Sequence, residues 1–106
     1  MEAALKAIAA PRRRQILTLV RAAELTAGEI ASHFDVTRPA ISQHLNVLKE
    51  AGLVNERRNG TRRHYSARPE GLGELKAFLE EFWDERLTAL KNEAEREERR
   101  KHGNDD

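Results

Sequence analysis

The chain has 106 residues, a formal net charge of +1, and nearly as many charged side chains (35%) as hydrophobic ones (39%). A polar chain of this length forms one domain with a limited core, so we expect it to complete that core by forming a dimer. Cysteine is absent, which excludes disulfides and thiolate metal sites and is compatible with a reducing cytoplasm, the location that we expect. No signal-like or membrane-spanning apolar segment is evident, so we expect no membrane partner.

The first two predicted elements are helices. Residues Glu2 to Ala10 suit a short alanine-rich helix in which Leu5 and Ile8 are the large apolar residues. Pro11 suits the start of a second helix, because a missing N–H donor costs nothing there. Apolar residues at helical spacing extend this second helix from Arg12 to about Ala23.

A run of three arginines, residues 12–14, occupies the first turn of the second helix. The helix dipole disfavours cations at this end, so the run conflicts with the local structure that we predict. Contact with a phosphate or an acidic neighbour would account for the conflict, and so would a solvated surface. The sequence leaves these interpretations open.

Two further helices, separated by a tight turn, are predicted next. Thr26 can cap the first of them, Glu29 completes a capping box, and the helix extends to about Phe34. Thr37 can cap the second helix, and Gly52 suits the left-handed residue that ends it. A helix pair of this kind, followed by a basic hairpin, is the order of a winged helix-turn-helix.

The second helix of this pair has one apolar and one polar side. Ile41, Leu45 and Leu48 recur at helical spacing, and the opposite side carries short polar residues. Gln and Asn side chains suit adenine in a major groove, Arg suits guanine or a phosphate, and Ser suits either kind of base. An ordinary amphipathic helix with a solvated polar side is the alternative. The predicted base-reading residues are Arg38, Pro39, Ser42, Gln43 and Asn46.

The segment from Leu53 to Ser66 is predicted to form an arginine-rich hairpin. Asn59-Gly60 favours a type I′ turn, which would place Arg57 opposite Arg62. Two like charges disfavour such a pairing unless an anion lies between them, and a DNA phosphate is a suitable anion. Charged strands that prevent edge-to-edge aggregation are the alternative. The predicted phosphate contacts are Thr37, His44, Lys49, Arg57, Arg58, Arg62 and Arg63. The same turn would place Val54 opposite Tyr65, on the side of the hairpin that packs on the helices.

A long helix is predicted from Leu72 into the nineties, because large apolar residues repeat there at spacings of three and four. This apolar side is too broad for one small domain to cover, so we interpret it as a dimer surface, with a purely intramolecular core as the alternative. The predicted dimerisation residues are Leu5, Ile8, Leu75, Phe78, Leu79, Phe82, Trp83, Leu87 and Leu90.

The chain is therefore predicted to consist of a DNA-binding and dimerisation domain, residues 1–91, and a charged tail, residues 92–106. The tail is expected to be a frayed helix at first and disordered from Gly103 onward. Charge is distributed unevenly, with a net +6 over residues 1–68 and −5 over residues 69–106. A basic half that contains the predicted reader agrees with a nucleic-acid partner.

Four phrases of the sequence together resemble the ArsR/SmtB family of small dimeric winged-helix repressors. They are Pro11–Leu17, Leu25–Ala31, Arg38–Val54 and Arg57–Tyr65. The resemblance implies a mainly α fold with a small β-hairpin (α+β), a winged helix-turn-helix of order α1-α2-α3-α4-β-β-α5. It also implies dimerisation by the first and last helices, and operator binding by the helix that contains Ser42 and Gln43.

The sequence departs from the metal-sensing patterns of that family. Many members carry paired cysteines where this chain has Thr26 and Ala27, and others carry Asp and His ligands on the last helix, whereas residues 72–90 contain no His. No two of the four histidines, at positions 33, 44, 64 and 102, have short metal-ligand spacing. We therefore expect no metal and no cofactor. Metal sensing would need an intersubunit site or a partner protein.

The functional prediction is a homodimeric, sequence-specific regulator that binds double-stranded DNA at a palindromic operator and represses by occupying its promoter. The alternative is a protein-interaction module, or a regulator that senses metal or another signal through a second protein. An enzyme is not expected, because the sequence contains no nucleophile–base constellation, phosphate loop or metal-hydrolase spacing.

Overall fold

The computed structural model describes residues 1–82 and 85–104, with the side chains described for residues 1–82 and 88–97. The chain divides into two compact units, residues 1–75 and residues 76–106. The first unit contains four helices and a small sheet. The first half of a fifth helix also belongs to the first unit, and the second unit contains the other half of that helix and all of another.

Four helices precede the arginine-rich hairpin, which we call the wing. They are α1 (Glu2–Ala9), α2 (Pro11–Ala22), α3 (Ala27–Ala31) and α4 (Arg38–Glu50). All four were predicted, and their ends differ from the prediction by three residues or fewer. Ala10 is in the extended conformation between α1 and α2, so the two helices are separate. Pro11 is the first residue of α2, where its missing N–H is of no consequence.

The predicted caps are present. The Thr26 hydroxyl accepts a hydrogen bond from the backbone N–H of Glu29, and the Glu29 carboxylate accepts one from the backbone N–H of Thr26. The hydrogen bond from the Thr26 backbone N–H is the main cause that lowers the pKa of the Glu29 carboxyl, and the Thr26 side chain lowers it further. Thr37 caps α4 through the N–H of Ala40, and Gly52 has the expected positive φ of +76°. The helix boundaries around the turn thus depend on local contacts.

The sheet has three antiparallel strands, β1 (Leu25–Thr26), β2 (Val54–Asn59) and β3 (Arg62–Ala67), in the spatial order β1-β3-β2. The hairpin of β2 and β3 was predicted, whereas β1 was not. Two residues are too few to show the alternation that marks a strand. β1 forms because Leu25 pairs with Tyr65, which anchors the beginning of α3 to the wing.

The predicted hairpin register was wrong by two residues. The loop consists of Gly60 and Thr61, and β2 and β3 pair Asn59 with Arg62, Arg58 with Arg63, and Arg57 with His64. Only the first loop residue, Gly60, has a positive φ (+67°), which is the pattern of a type II′ turn and not of the predicted type I′.

The like-charge pair predicted between Arg57 and Arg62 is therefore replaced by a pair between Arg58 and Arg63. A shift of two residues keeps every side chain on its predicted side of the sheet, because side chains alternate with a period of two. Val54 and Tyr65 are consequently both buried, as predicted, although they do not pair with each other.

The core of the first unit is formed by apolar side chains from its helices and sheet. The largest fully buried ones are Ile16, Ile30, Ile41, Leu45, Leu48 and Leu53. Three of these come from the apolar side of α4, and each contributes roughly 1.5–3 kcal/mol on burial. Burial of this side of α4 leaves its polar side facing outward.

The arginine run at the start of α2 serves the protein's own structure. Arg13 and Arg14 donate hydrogen bonds of 2.7–3.1 Å to the carbonyl oxygens of residues 6–9, at the C-terminal end of α1. Cations are favoured at this end of a helix dipole, so the unfavourable position on α2 is offset by a favourable one on α1. The Arg12 guanidinium lies 4.5 Å from the centre of the Phe34 ring. The interpretations that the sequence left open did not include this cap on α1, although Arg14 is also exposed to solvent.

Two helices follow the wing, α5 (Pro69–Phe82) and α6 (Glu85–Asn104). Residues 83, 84, 105 and 106 lie outside the described residues, so the prediction for Trp83 and that for the end of the tail are not addressed. α6 extends to Asn104, and the disorder expected from Gly103 onward stays a prediction. The predicted division at residue 91 remains a prediction.

Within the described part of the chain, no helix has both the length and the apolar character needed to cross a membrane.

Candidate nucleic-acid interface

The polar side of α4 is accessible to a ligand. Ser42 is half-buried, and the other four predicted base-reading residues are exposed, as is the capping residue Thr37; the four are Arg38, Pro39, Gln43 and Asn46. Because Ile41, Leu45 and Leu48 hold the opposite side in the core, this helix presents donors and acceptors on a rigid support. Such a surface can form hydrogen bonds to base edges.

An open, mainly polar groove of about 550 Å³ lies between α4 and the wing. Arg38, Ser42 and Asn46 line it from α4, and residues 61–63 line it from the wing. Its floor includes Tyr65 and, at the beginning of α3, residues 26–28. Three predicted base-reading residues therefore face the wing, whereas Gln43 does not line the groove.

Thr26, Gly28 and Thr61 were not predicted as parts of the interface. They lie outside α4 and line the groove beside it, Thr26 and Gly28 at the beginning of α3 and Thr61 in the loop between β2 and β3. Gly28 lies beside Arg38, because a Cβ atom placed on it would be in ordinary van der Waals contact, 3.8 Å, with the Arg38 guanidinium carbon. The capping role of Thr26 was visible in the sequence, but its position in the groove was not.

The tip of the wing carries accessible cationic side chains. Arg58 and Arg62 are exposed, and neither takes part in the ion pairs found among residues 1–82. A shallow depression of about 310 Å³ at the tip is lined by Arg58 and residues 60–63. Guanidinium groups in such a position suit phosphate oxygens.

Three other predicted phosphate contacts are paired with carboxylates of the protein. Arg57 Nη2 lies 2.6 Å from Glu24 Oε1, and the hydrogen bond from Arg57 is the main cause that lowers the pKa of the Glu24 carboxyl. Lys49 Nζ lies 3.2 Å from Glu56 Oε2, and Arg63 Nε lies 3.5 Å from Glu56 Oε1. The sequence did not predict the partners of Arg57 and Lys49, because each of these two pairs joins separate elements of the chain. The charge available to DNA is therefore smaller than the arginine count implies.

His44 is less accessible than the other predicted phosphate contacts, and its role stays a prediction. It is half-buried on the side of α4 that faces α2, and its Nδ1 lies 3.4 Å from Arg13 Nη1. Burial lowers the pKa of His44, and the charges of Arg13 and Arg12 lower it further. Both effects favour the neutral form of the ring, which attracts a phosphate less strongly than the charged form does.

The comparisons with known proteins agree with this geometry. The profile described as "Bacterial regulatory protein, arsR family" matches residues 10–56, which include α2, α3 and α4. HTH-type transcriptional regulator Rv2034 of Mycobacterium tuberculosis is 46% identical over 83 residues, 78% of this chain and 78% of that protein. The chain belongs to the arsR family.

Two further similarities concern the function and assembly of arsR-family proteins. Transcriptional repressor SdpR of Bacillus subtilis is 48% identical over 61 residues, 58% of this chain and 68% of that protein. The homodimeric winged helix-turn-helix DNA-binding domain of Mb0332 from Mycobacterium bovis is 36% identical, with a TM-score of 0.65 over 81% of this chain and 80% of that one. The prediction of a winged helix-turn-helix DNA-binding regulator, and not an enzyme, is confirmed.

The residues predicted for dimerisation in this arsR-family chain differ in accessibility. Leu75 is buried in the core of its own unit, whereas Leu5 and Ile8 pack against that core and stay partly exposed. In the second unit Leu79 is 48% exposed and Phe82 is 62% exposed. Phe78 packs edge-on against Phe82, with 5.2 Å between ring centres. Leu90 of α6 is also exposed.

Two predicted dimer residues, Trp83 and the Leu87 side chain, lie outside the described part of the structure. As for metals, no group of three His, Asp or Glu side chains comes together as a cation site among the residues that the structure describes.

Proposed function

We propose that this arsR-family protein is a homodimeric repressor that blocks its promoter by occupying a palindromic operator. The observation that carries the proposal is the exposed polar side of α4 beside a basic wing, on a helix whose opposite side is buried. Repression is supported by the similarity to a protein named as a transcriptional repressor, and dimerisation by the similarity to a homodimeric domain.

In this proposal α4 lies in the major groove, which is wide enough to admit an α-helix. Gln43 and Asn46 read adenine, Arg38 reads guanine, and Ser42 and Pro39 contact neighbouring base edges. Arg58, Arg62 and Thr37 contact the sugar-phosphate backbone and set the register of the protein on DNA. A two-fold dimer places two copies of α4 roughly 34 Å apart, one turn of DNA, so the operator is palindromic.

A gel shift with genomic fragments tests the proposal as a whole. We expect sequence-dependent binding that weakens steeply with salt, because phosphate contacts release counterions. A protein-interaction module would bind no fragment selectively. A footprint of the retained fragments would then define the operator.

Replacing Gln43 by alanine is expected to weaken operator binding by about 1–3 kcal/mol and to relax the preference at one base pair of each half-site. Binding to a scrambled duplex should change little, because that complex contains no matched base contact. Fluorescence anisotropy with both duplexes measures the difference. Gln15→Ala removes the same side chain from the exposed surface of α2 and serves as the control. An equal loss on every duplex would contradict base reading by Gln43.

Replacing Arg62 by alanine is expected to weaken binding to all duplexes alike and to reduce the slope of log affinity against log salt by about one unit. Arg57→Ala is the matched comparison, because it removes an arginine from the adjacent strand that is already paired with Glu24. We expect Arg57→Ala to change the slope less. If the slope of Arg62→Ala equals that of the wild type, the wing does not contact the backbone.

A further inference from the structure

Glu56 belongs to β2 of the wing, and its carboxylate links the wing to α4. It is on the side of β2 that faces the helices, with buried Val54 before it and Tyr65 opposite it in the register. Its side chain is only 12% exposed, although those of Lys49 and Arg63 are about half exposed. The carboxylate is thus held in place by the sheet, whereas its two cationic partners reach toward the solvent.

Each oxygen of Glu56 has a cation of its own. Oε2 lies 3.2 Å from Lys49 Nζ in the last turn of α4, and Oε1 lies 3.5 Å from Arg63 Nε on β3. A carboxylate with both oxygens engaged by cations presents the same kind of acceptor as a phosphate group. Glu56 therefore occupies the position of an anion between the two elements that would hold a DNA strand.

These cations would otherwise be available to DNA. Arg63 lines the groove between α4 and the wing, and Lys49 is exposed at the end of the helix that reads bases. Each phosphate that a protein neutralises steepens the dependence of affinity on salt by about 0.9 units and strengthens binding to any sequence. Two more free cations would raise affinity for DNA without improving the reading of bases.

We propose that Glu56 acts as an internal competitor of DNA phosphate that withholds Lys49 and Arg63 from the backbone. The inference rests on the proposed DNA-binding function and concerns how strongly the same surface binds. It assigns to a carboxylate inside the basic wing the task of limiting sequence-independent affinity. Base contacts then supply a larger share of the total binding free energy.

The test compares E56Q with E50Q in the full chain, on a scrambled duplex and on the operator. Glutamine has the size of glutamate without its charge. E50Q removes the same charge from the last residue of α4, which is exposed and has no role in the ion pairs described for residues 1–82. Affinities are measured between about 50 and 200 mM salt, the range in which phosphate contacts dominate the change.

For E56Q we expect a salt slope steeper than that of the wild type by up to about two units, and tighter binding to both duplexes by the same factor. For E50Q we expect a slope close to that of the wild type. A slope for E56Q equal to that of E50Q would overturn the inference. A shallower slope would also overturn it, because it would mean that Glu56 positions the two cations for phosphate contact.

Lys49→Ala, placed in both backgrounds, provides a second measurement. In E56Q it should reduce the slope by about one unit, and in the wild type by clearly less, because Glu56 already neutralises Lys49. If E56Q fails to fold, the wild-type background still provides a test. A reduction of the salt slope by a full unit on Lys49→Ala in that background would overturn the inference. A wild type that binds no DNA would remove the proposed function, whereas salt-dependent binding with no effect of Glu56 would remove only this inference.

Discussion

Gly71→Ala is expected to destabilise the folded protein by about 3 kcal/mol or more, because the site has no room for a methyl group. A Cβ atom on Gly71 would overlap the carbonyl oxygen of Gly52 and lie 2.8 Å from its carbonyl carbon. Those are backbone atoms of the turn between α4 and β2. The turn is itself constrained, since Gly52 has a φ of +76° and the backbone N–H of Arg68 donates a 2.8 Å hydrogen bond to the carbonyl oxygen of Leu53.

Gly73, two residues further along α5, provides the control. Neither glycine has a positive φ, so alanine fits the backbone conformation at both positions. A Cβ atom on Gly73 would have no neighbour within 4 Å. Gly73→Ala is therefore expected to stabilise the protein by about 0.5–1 kcal/mol, the difference in helix propensity between the two residues.

Urea denaturation of the two variants and the wild type, at one fixed protomer concentration, measures both effects. The concentration must be the same because the stability of a dimer depends on it. Opposite shifts of the denaturation midpoint are expected. Stabilisation of similar size by both substitutions would mean that the start of α5 does not pack on the turn at Gly52.

Phe82→Glu is expected to convert the proposed dimer to a monomer and to weaken operator binding by about 100-fold or more. Phe82 is a large, exposed aromatic residue, and such residues commonly contribute 2 kcal/mol or more at an interface. A glutamate there would bury an unpaired charge in the assembled dimer. Operator affinity falls as well, because two linked half-site contacts bind far more tightly than one.

Ala77→Glu introduces the same charge into the same helix, at an exposed position across the helix from Leu79 and Phe82. It should leave the dimer intact. Sedimentation velocity gives the oligomeric state. Fluorescence anisotropy on a full operator and on a single half-site shows how much of the affinity gained from binding two half-sites together is lost. A dimeric Phe82→Glu variant with normal operator affinity would place the dimer interface elsewhere on the protein.

Features of this chain that arise from near neighbours were predictable from the sequence. The apolar spacing of Ile41, Leu45 and Leu48 predicted which side of α4 is buried, because helix geometry alone places these residues together. The caps at Thr26 and Thr37 and the left-handed Gly52 were predicted for the same reason. Each involves atoms no more than a few residues apart.

Hairpin register was not predictable from its turn residues. Asn59-Gly60 and Gly60-Thr61 are both acceptable loops, and the two registers keep the same side chains on the buried side. Pairing of β3 with β1, through Leu25 and Tyr65, is a contact between distant parts of the chain. No local pattern records such a contact.

The sequence by itself determined the first four helices, the exposed polar residues of α4 and the basic wing, since spacing and composition are local properties. Only the tertiary structure decided which of the cations are free. Arg13 and Arg14 cap α1, Arg57 is held by Glu24, and Lys49 shares Glu56 with Arg63. The physical reason is that an ion pair depends on distances of a few ångströms, and folding brings these residues together from positions 5 to 33 apart in the chain.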